Sequence, residues 1–148
     1  MTDFLMEPSD LDEFLRNHYR VVAHDPRRLT WSLEFAGETD TFTLQLTWEK
    51  TRLRLTLPLP GTAPRGPSCL PRLFEYLLSA NSELEWGFFA LEPDGTPALK
   101  SRLITEHLAG TTLKTVVDYL VTEADDRYFN ILNLAYEPRA EVVEDDED

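Results

Sequence analysis

Three stretches between Leu29 and Leu57 alternate apolar and polar side chains with strict regularity. Leu29, Trp31, Leu33 and Phe35 alternate with Thr30, Ser32 and Glu34. Phe42, Leu44, Leu46 and Trp48 alternate with Thr43, Gln45 and Thr47, and Leu53, Leu55 and Leu57 with Arg52, Arg54 and Thr56. A period of two puts each apolar set on one face of a pleated strand. The intervening residues 37–40 and 49–51 are too few for a crossover, so the stretches are predicted to form an antiparallel meander with one buried and one wet face.

Helical spacing flanks this meander. Leu11, Phe14, Leu15, His18, Tyr19 and Val22 predict a first helix, capped by Ser9, with Asp10, Asp12 and Glu13 in its first turn and Asp25-Pro26 ending it. After the meander, PLPGTAPRGPSCLP holds five of the ten prolines and reads as a stiff connector, although its Pro64-to-Pro67 spacing also fits a loose polyproline ligand. Ser68 then caps a second helix whose stripe is Leu70, Leu73, Phe74, Leu77 and Leu78, closed by Asn81 in the left-handed conformation of a helix stop. A third helix, from about Leu113 to about Leu132, carries Leu113, Val116, Val117, Leu120, Val121, Ala124, Tyr128, Ile131 and Leu132. The predicted fold class is α+β, a two-layer sandwich of antiparallel sheet and helices in the order α-β-β-β-α-β-β-α. One domain is expected over residues 1–136, with an acidic, disordered tail at 137–148.

Between the second and third helices lies WGFFALEPDGTPALKSRL, residues 86–103, a hairpin whose first arm is apolar on both sides. With Asp94-Gly95 as a two-residue turn, Trp86 faces Leu103, Phe88 faces Ser101 and Ala90 faces Leu99 on the core side. Gly87, Phe89 and Leu91 then lie against Arg102, Lys100 and Ala98 on the other. Phe89 and Leu91 need cover there. Either the Lys100 stem lies over Phe89 within one chain, or a second protein surface covers them. Because the second helix leads straight into this arm, Leu73, Leu77, Trp86, Phe88, Phe89, Leu91, Lys100 and Arg102 form one patch. It is predicted to make a two-fold homodimer or to bind a partner.

Charge narrows the partners. Fourteen Lys and Arg against 27 Asp and Glu give a net charge of −13, which repels phosphate backbones and attracts basic proteins. Six of the acids crowd the ending EVVEDDED. The three histidines lack metal-ligand spacing, and GPSCL lacks the second glycine of a nucleophile elbow. GTAPRG lacks the lysine of a phosphate loop, and Asp125-Asp126 diverge on a helix. DPRR at residues 25–28 reads as a solvated loop, and the lone Cys69 has no base beside it in sequence. No catalytic, cofactor or metal site is predicted. No apolar run approaches the ~18 residues of a membrane span, and the N-terminus lacks a secretory pattern, so a cytoplasmic protein is expected.

The segment FEYLLSANSELEWGFFALEPDGTPALKSRL, followed by TTLKTVVDYLVTEADDRYFNIL, resembles the YbjN family of bacterial proteins. That family shares the fold of class I type III secretion chaperones, the Tir-chaperone-like group. The likeness runs from about Leu11 to about Leu134, with Asn81, Gly87-Phe88, Asp94-Gly95 and Ala124-Asp125 as its most telling elements. The proline-rich connector and the tail lie outside it. The resemblance implies a small, acidic, homodimeric helper that performs no chemistry and holds client segments in extended form along hydrophobic grooves, with backbone pairing at a sheet edge. Basic clients, including nucleic-acid-handling proteins, follow from the charge. The alternative it implies is a regulatory or sensory protein that binds a small ligand or signalling partner.

Overall fold

The structure, a computed structural model, describes residues 4–136. The elements run α1 (Pro8–His18), β1 (Val21–Asp25), β2 (Thr30–Ala36), β3 (Thr41–Glu49), β4 (Arg52–Pro58), a 3-10 turn (Pro67–Cys69), α2 (Leu70–Asn81), β5 (Phe88–Leu91), β6 (Pro97–Ile104) and α3 (Gly110–Tyr136). The six strands form one antiparallel sheet in the order β1-β2-β3-β4-β6-β5. The expected class holds. The order contains one strand more than the sequence pattern predicts.

That extra strand takes the end of the predicted first helix. α1 stops at His18, Tyr19 turns to extended backbone at φ −141°, and Val21–Asp25 pair with β2, with a register irregularity between Val21 and Ala23. Tyr19 and Val22 fall at helical spacing by coincidence. Tyr19 packs edge-on against Phe35, whereas Val22 is exposed. The cap also differs from expectation. Glu7, not Ser9, is the N-cap, and its backbone N–H donates to the Asp10 carboxylate at 3.0 Å in a capping box. α2 likewise begins after the 3-10 turn, with Cys69 rather than Ser68 at its N-cap.

The meander forms as the alternation requires. Leu33 pairs with Leu44, Leu46 with Leu55, and Trp48 with Leu53. Trp31, Leu33, Phe42, Leu44, Leu46, Leu53, Leu55 and Leu57 are buried, and Leu113, Val116, Val117, Leu120, Ala124 and Ile131 of α3 cluster with them. Leu11 and Leu15 of α1 and Leu73 and Leu77 of α2 join the same core. The opposite sheet face, with Thr43, Gln45, Arg52, Arg54 and Arg102, lies open to solvent. The described residues therefore form two layers, and among them nothing covers the second sheet face.

The hairpin departs from the predicted register. Gly95 N–H donates to Glu92 O and Glu92 N–H to Thr96 O, both at 2.8 Å, and Gly95 sits at φ +89°. The connection is thus a three-residue loop, Pro93-Asp94-Gly95, with glycine in the left-handed position. One added loop residue shifts the pairing to Phe88↔Lys100, Phe89↔Leu99, Ala90↔Ala98 and Leu91↔Pro97. A one-residue shift exchanges faces, so Phe89 enters the core and Phe88 turns out. Where β5 begins, the chain presses on its neighbours. A Cβ on Gly87 would stand 2.6 Å from Lys100 O and 2.9 Å from Leu120 Cδ2. The tail expected at 137–148 lies outside the described residues.

Candidate partner-binding surface

β5 is an edge strand with α2 lying beside it. The Glu92-to-Thr96 bond sets the ladder phase, so even-numbered β5 residues bond to β6, while Phe89 and Leu91 turn their N–H and C=O outward. Asn81, the last residue of α2, takes the Phe89 pair. Its Oδ1 accepts from Phe89 N–H at 2.6 Å and its Nδ2 donates to Phe89 O at 3.2 Å. The expected left-handed stop is not found. Among the described residues the non-glycine ones at positive φ are Leu29, Lys50 and His107, and Asn81 acts through its side chain instead. Beyond that clamp, the backbone groups of Leu91 point to the open sheet edge.

Between helix and strand lies a shallow cleft of about 240 Å³ lined by Phe74, Leu77, Leu78, Asn81, Phe89, Ala90 and Leu91. Its wall is apolar except for Asn81. Leu78 is 70% exposed and Leu91 42%. Large apolar side chains gathered at a groove and left wet are the feature that distinguishes a docking face from an ordinary surface.

The eight residues expected to form one patch divide between two faces. Leu77, Phe89 and Leu91 line the cleft, and Leu73 lies fully buried beneath it. Phe89 is 6% exposed within the single chain, so it needs no second molecule to cover it, contrary to the expectation from the two-residue turn. Phe88, Lys100 and Arg102 belong to the bare sheet face. Arg102 stacks over the Phe88 ring at 5.3 Å, and Lys100 pairs with Glu92 at 2.9 Å rather than lying over Phe89. Trp86 is half exposed, and its carbonyl accepts the Ser101 hydroxyl. Leu78 and Phe74 are absent from the expected patch. Their signal was a five-residue apolar stripe on α2, wider than the core-facing side of a short helix requires.

Charged groups brace the cleft from behind. Arg127 of α3 donates to Glu123 at 2.9 Å, to Glu83 at 3.0 Å and to the Tyr76 hydroxyl at 3.3 Å, tying α3 to α2 and the turn after it. The Tyr128 hydroxyl lies 2.7 Å from Pro60 O and 3.1 Å from the Asp40 carboxylate. Burial, aided by Asp40, pushes that phenol up to about 12. At the far end of the sheet, Trp31 Nε1 donates to Asp12 at 3.0 Å, and this bond, with Arg16 beside it, holds the Asp12 carboxyl below its usual range. Among the described residues no group of three or more His, Cys, Asp or Glu is placed to hold a metal, and no helix is long and apolar enough to cross a membrane.

No protein-family model matches the chain, and no curated protein sequence does. Among solved structures it is similar to the crystal structure of the ExsC–ExsE complex, with a TM-score of 0.63 at 18% identity, covering 84% of this chain and 95% of the other. It is also similar to the HopA1–SchA chaperone–effector complex, with a TM-score of 0.56 at 21% identity over 80% and 90% of the two chains. A third similar structure is the Yersinia pestis type III secretion chaperone SycH with a stable fragment of YscM2, with a TM-score of 0.54 at 19% identity over 77% and 92%. At these identities the likeness is one of fold, an antiparallel sheet with helices packed on it as in type III secretion chaperones.

Proposed function

We propose that the chain is a non-catalytic, protein-binding chaperone or adaptor that forms a homodimer through the α2–β5 cleft and binds client proteins. The observation that carries this reading is the exposed Leu78 and Leu91 beside an open β5 edge. The fold it shares is one whose solved examples include a chaperone–effector complex and a secretion chaperone holding a fragment of another protein. Leu78 protrudes next to a hollow that the same face supplies, so a two-fold axis would bring each Leu78 onto the other copy. The net charge of −13 favours basic clients, including nucleic-acid-handling ones, and a cytoplasmic setting is in keeping with this role. The resemblance to YbjN proteins is compatible with the same reading. The alternative of a small-ligand sensor has less behind it. The apolar cleft of about 240 Å³ is shallow, and the roomier hollow of about 390 Å³ is an open surface feature at the hairpin loop, lined by Pro58, Glu92, Pro93, Asp94 and Thr96. Small-molecule sites, in contrast, are concave and mostly apolar.

Sedimentation of the wild type and of Leu78→Asp tests the dimer. Leu78 is mostly solvent-exposed, so the substitution leaves the core intact. A dimeric wild type at micromolar concentration and a folded, monomeric variant are expected. A monomeric wild type overturns the proposal. For the client, affinity capture from a bacterial lysate should recover a specific basic protein whose retention falls as salt is raised.

A further inference from the structure

The bare face of the sheet concentrates cations in a chain that is otherwise strongly acidic. Arg52 and Arg54 on β4 and Lys100 and Arg102 on β6 share it, four of the chain's 14 Lys and Arg. Arg54 stands directly opposite Arg102 across the ladder, with Thr56 opposite Lys100 and Arg52 opposite Ile104. Like charges in facing positions are destabilising on their own. Among the described residues, neighbouring carboxylates answer only part of this charge. Glu49 reaches Arg54 at 3.3 Å and Glu92 reaches Lys100 at 2.9 Å, whereas Arg102 is held over Phe88. Arg54, Lys100 and Arg102 rim a hollow of about 150 Å³ that Thr56, Phe88 and Ala90 also line. Ile104, 60% exposed, borders the cluster.

We propose that the acidic C-terminal segment of this same chain, residues 141–148, occupies this face. Its composition matches the surface. Glu141, Glu144, Asp145, Asp146, Glu147 and Asp148 supply the anions, and Val142 and Val143 supply apolar cover for Ile104 and Phe88. Its point of departure also fits. α3 ends at Tyr136, over whose ring the Arg65 guanidinium lies at 5.0 Å, and Arg65 N–H donates to Ala135 O at 3.0 Å. Tyr128 of the same helix touches Pro60. Tyr136 therefore lies beside the connector that follows β4, whose first residue, Leu59, bonds to Pro97 at the start of β6. From Pro58 and Ala98, Lys100 and Arg54 lie only about 7–13 Å back along the strands. Residues 137–148 span up to ~40 Å when extended. That length carries the acids around the sheet end and over the cluster. The segment neutralises the facing arginines and withholds the face from other anionic polypeptides. This inference concerns the sheet face opposite the α2–β5 cleft and stands apart from the dimer.

A spin label on Asp146→Cys in the full-length protein tests it, because the native Cys69 is buried and escapes labelling. Amide signals of β4 and β6 around Arg52, Arg54, Lys100 and Arg102 should broaden within the labelled molecule, and raising salt should relieve the broadening. Arg54→Gln with Arg102→Gln should cut the docked-to-free ratio roughly fivefold, equivalent to about 1 kcal/mol for two exposed ion pairs. Should that pair perturb the fold, a full-length chain with residues 144–148 changed to their amides leaves the body untouched. It should shift the same amides as high salt does. Broadening seen only when labelled and isotope-enriched copies are mixed would place the segment on a second molecule and overturn the proposal. Broadening at another surface, or none, would overturn it equally.

Discussion

Replacing Asn81 by Ala removes a side chain that stands in for a neighbouring strand. Its amide makes two hydrogen bonds to the Phe89 backbone, at 2.6 and 3.2 Å, in a region where Phe89 is nearly closed off by its own chain. Each bond contributes about 1 kcal/mol net, and the freed groups regain water only by local opening, so Asn81→Ala should lose about 2–3 kcal/mol. For a chain of this size that is a fall in Tm of roughly 6–10 °C. Denaturant unfolding measures the total, and amide hydrogen exchange locates it. The Phe89 amide should exchange faster in the variant, while that of Ala90, bonded to β6, stays protected. Asn81→Asp separates the two bonds. Its carboxylate still accepts from Phe89 N–H but opposes Phe89 O, so it should be destabilised at neutral pH. It should recover below about pH 4, where the protonated acid can donate. A loss under about 0.5 kcal/mol, within the range of an ordinary surface substitution, would show that the Asn81 bonds do not hold β5 in place. So would unchanged exchange at Phe89.

Gly87→Ala drives a methyl against Lys100 O and Leu120, and denaturant midpoints should show a loss of about 1–3 kcal/mol. Tyr128→Phe removes the bond to Pro60 and should lower stability by about 1 kcal/mol in the same assay. The raised Tyr128 pKa stabilises the wild type fully below the unfolded value near 10, and this contribution is lost as pH rises through about 12. Alkaline melts of the Phe variant should therefore lack that component. Asp12 titrates the other way. Its depressed pKa gives stability that is present above the unfolded value near 4 and lost as pH falls through the lower folded value. Asp12→Asn should flatten the acid limb of a Tm-versus-pH curve, and an unchanged limb would assign the acid sensitivity to other carboxylates.

The meander was legible because one face of every strand is buried, so a single period describes it. β1 was not, since Tyr19 and Val22 happen to continue the helical spacing of α1. The hairpin shows how much hangs on one residue. Asp94-Gly95 alone suggests a two-residue turn, but Pro93 before it fits the second position of a type I turn, with Gly95 closing the loop at positive φ. That extra residue sends Phe89 inward and Phe88 outward. The expected surface rested on a two-residue turn that the chain does not make. Leu77 and Leu91 do line a groove, yet its most exposed member, Leu78, was hidden in the sequence as one more residue of a core-facing stripe.

The two borders of the sheet are unlike. β1 is interrupted between Val21 and Ala23, which bends it away from regular pairing, whereas β5 keeps an unbroken register with β6 and holds the Leu91 groups outward. Of the two rims, that of β5 at Leu91 is the better template for an added strand. Were two copies to meet along that side as proposed, both remaining rims would be the crooked ones, and accretion would end at a pair instead of running on into a fibre.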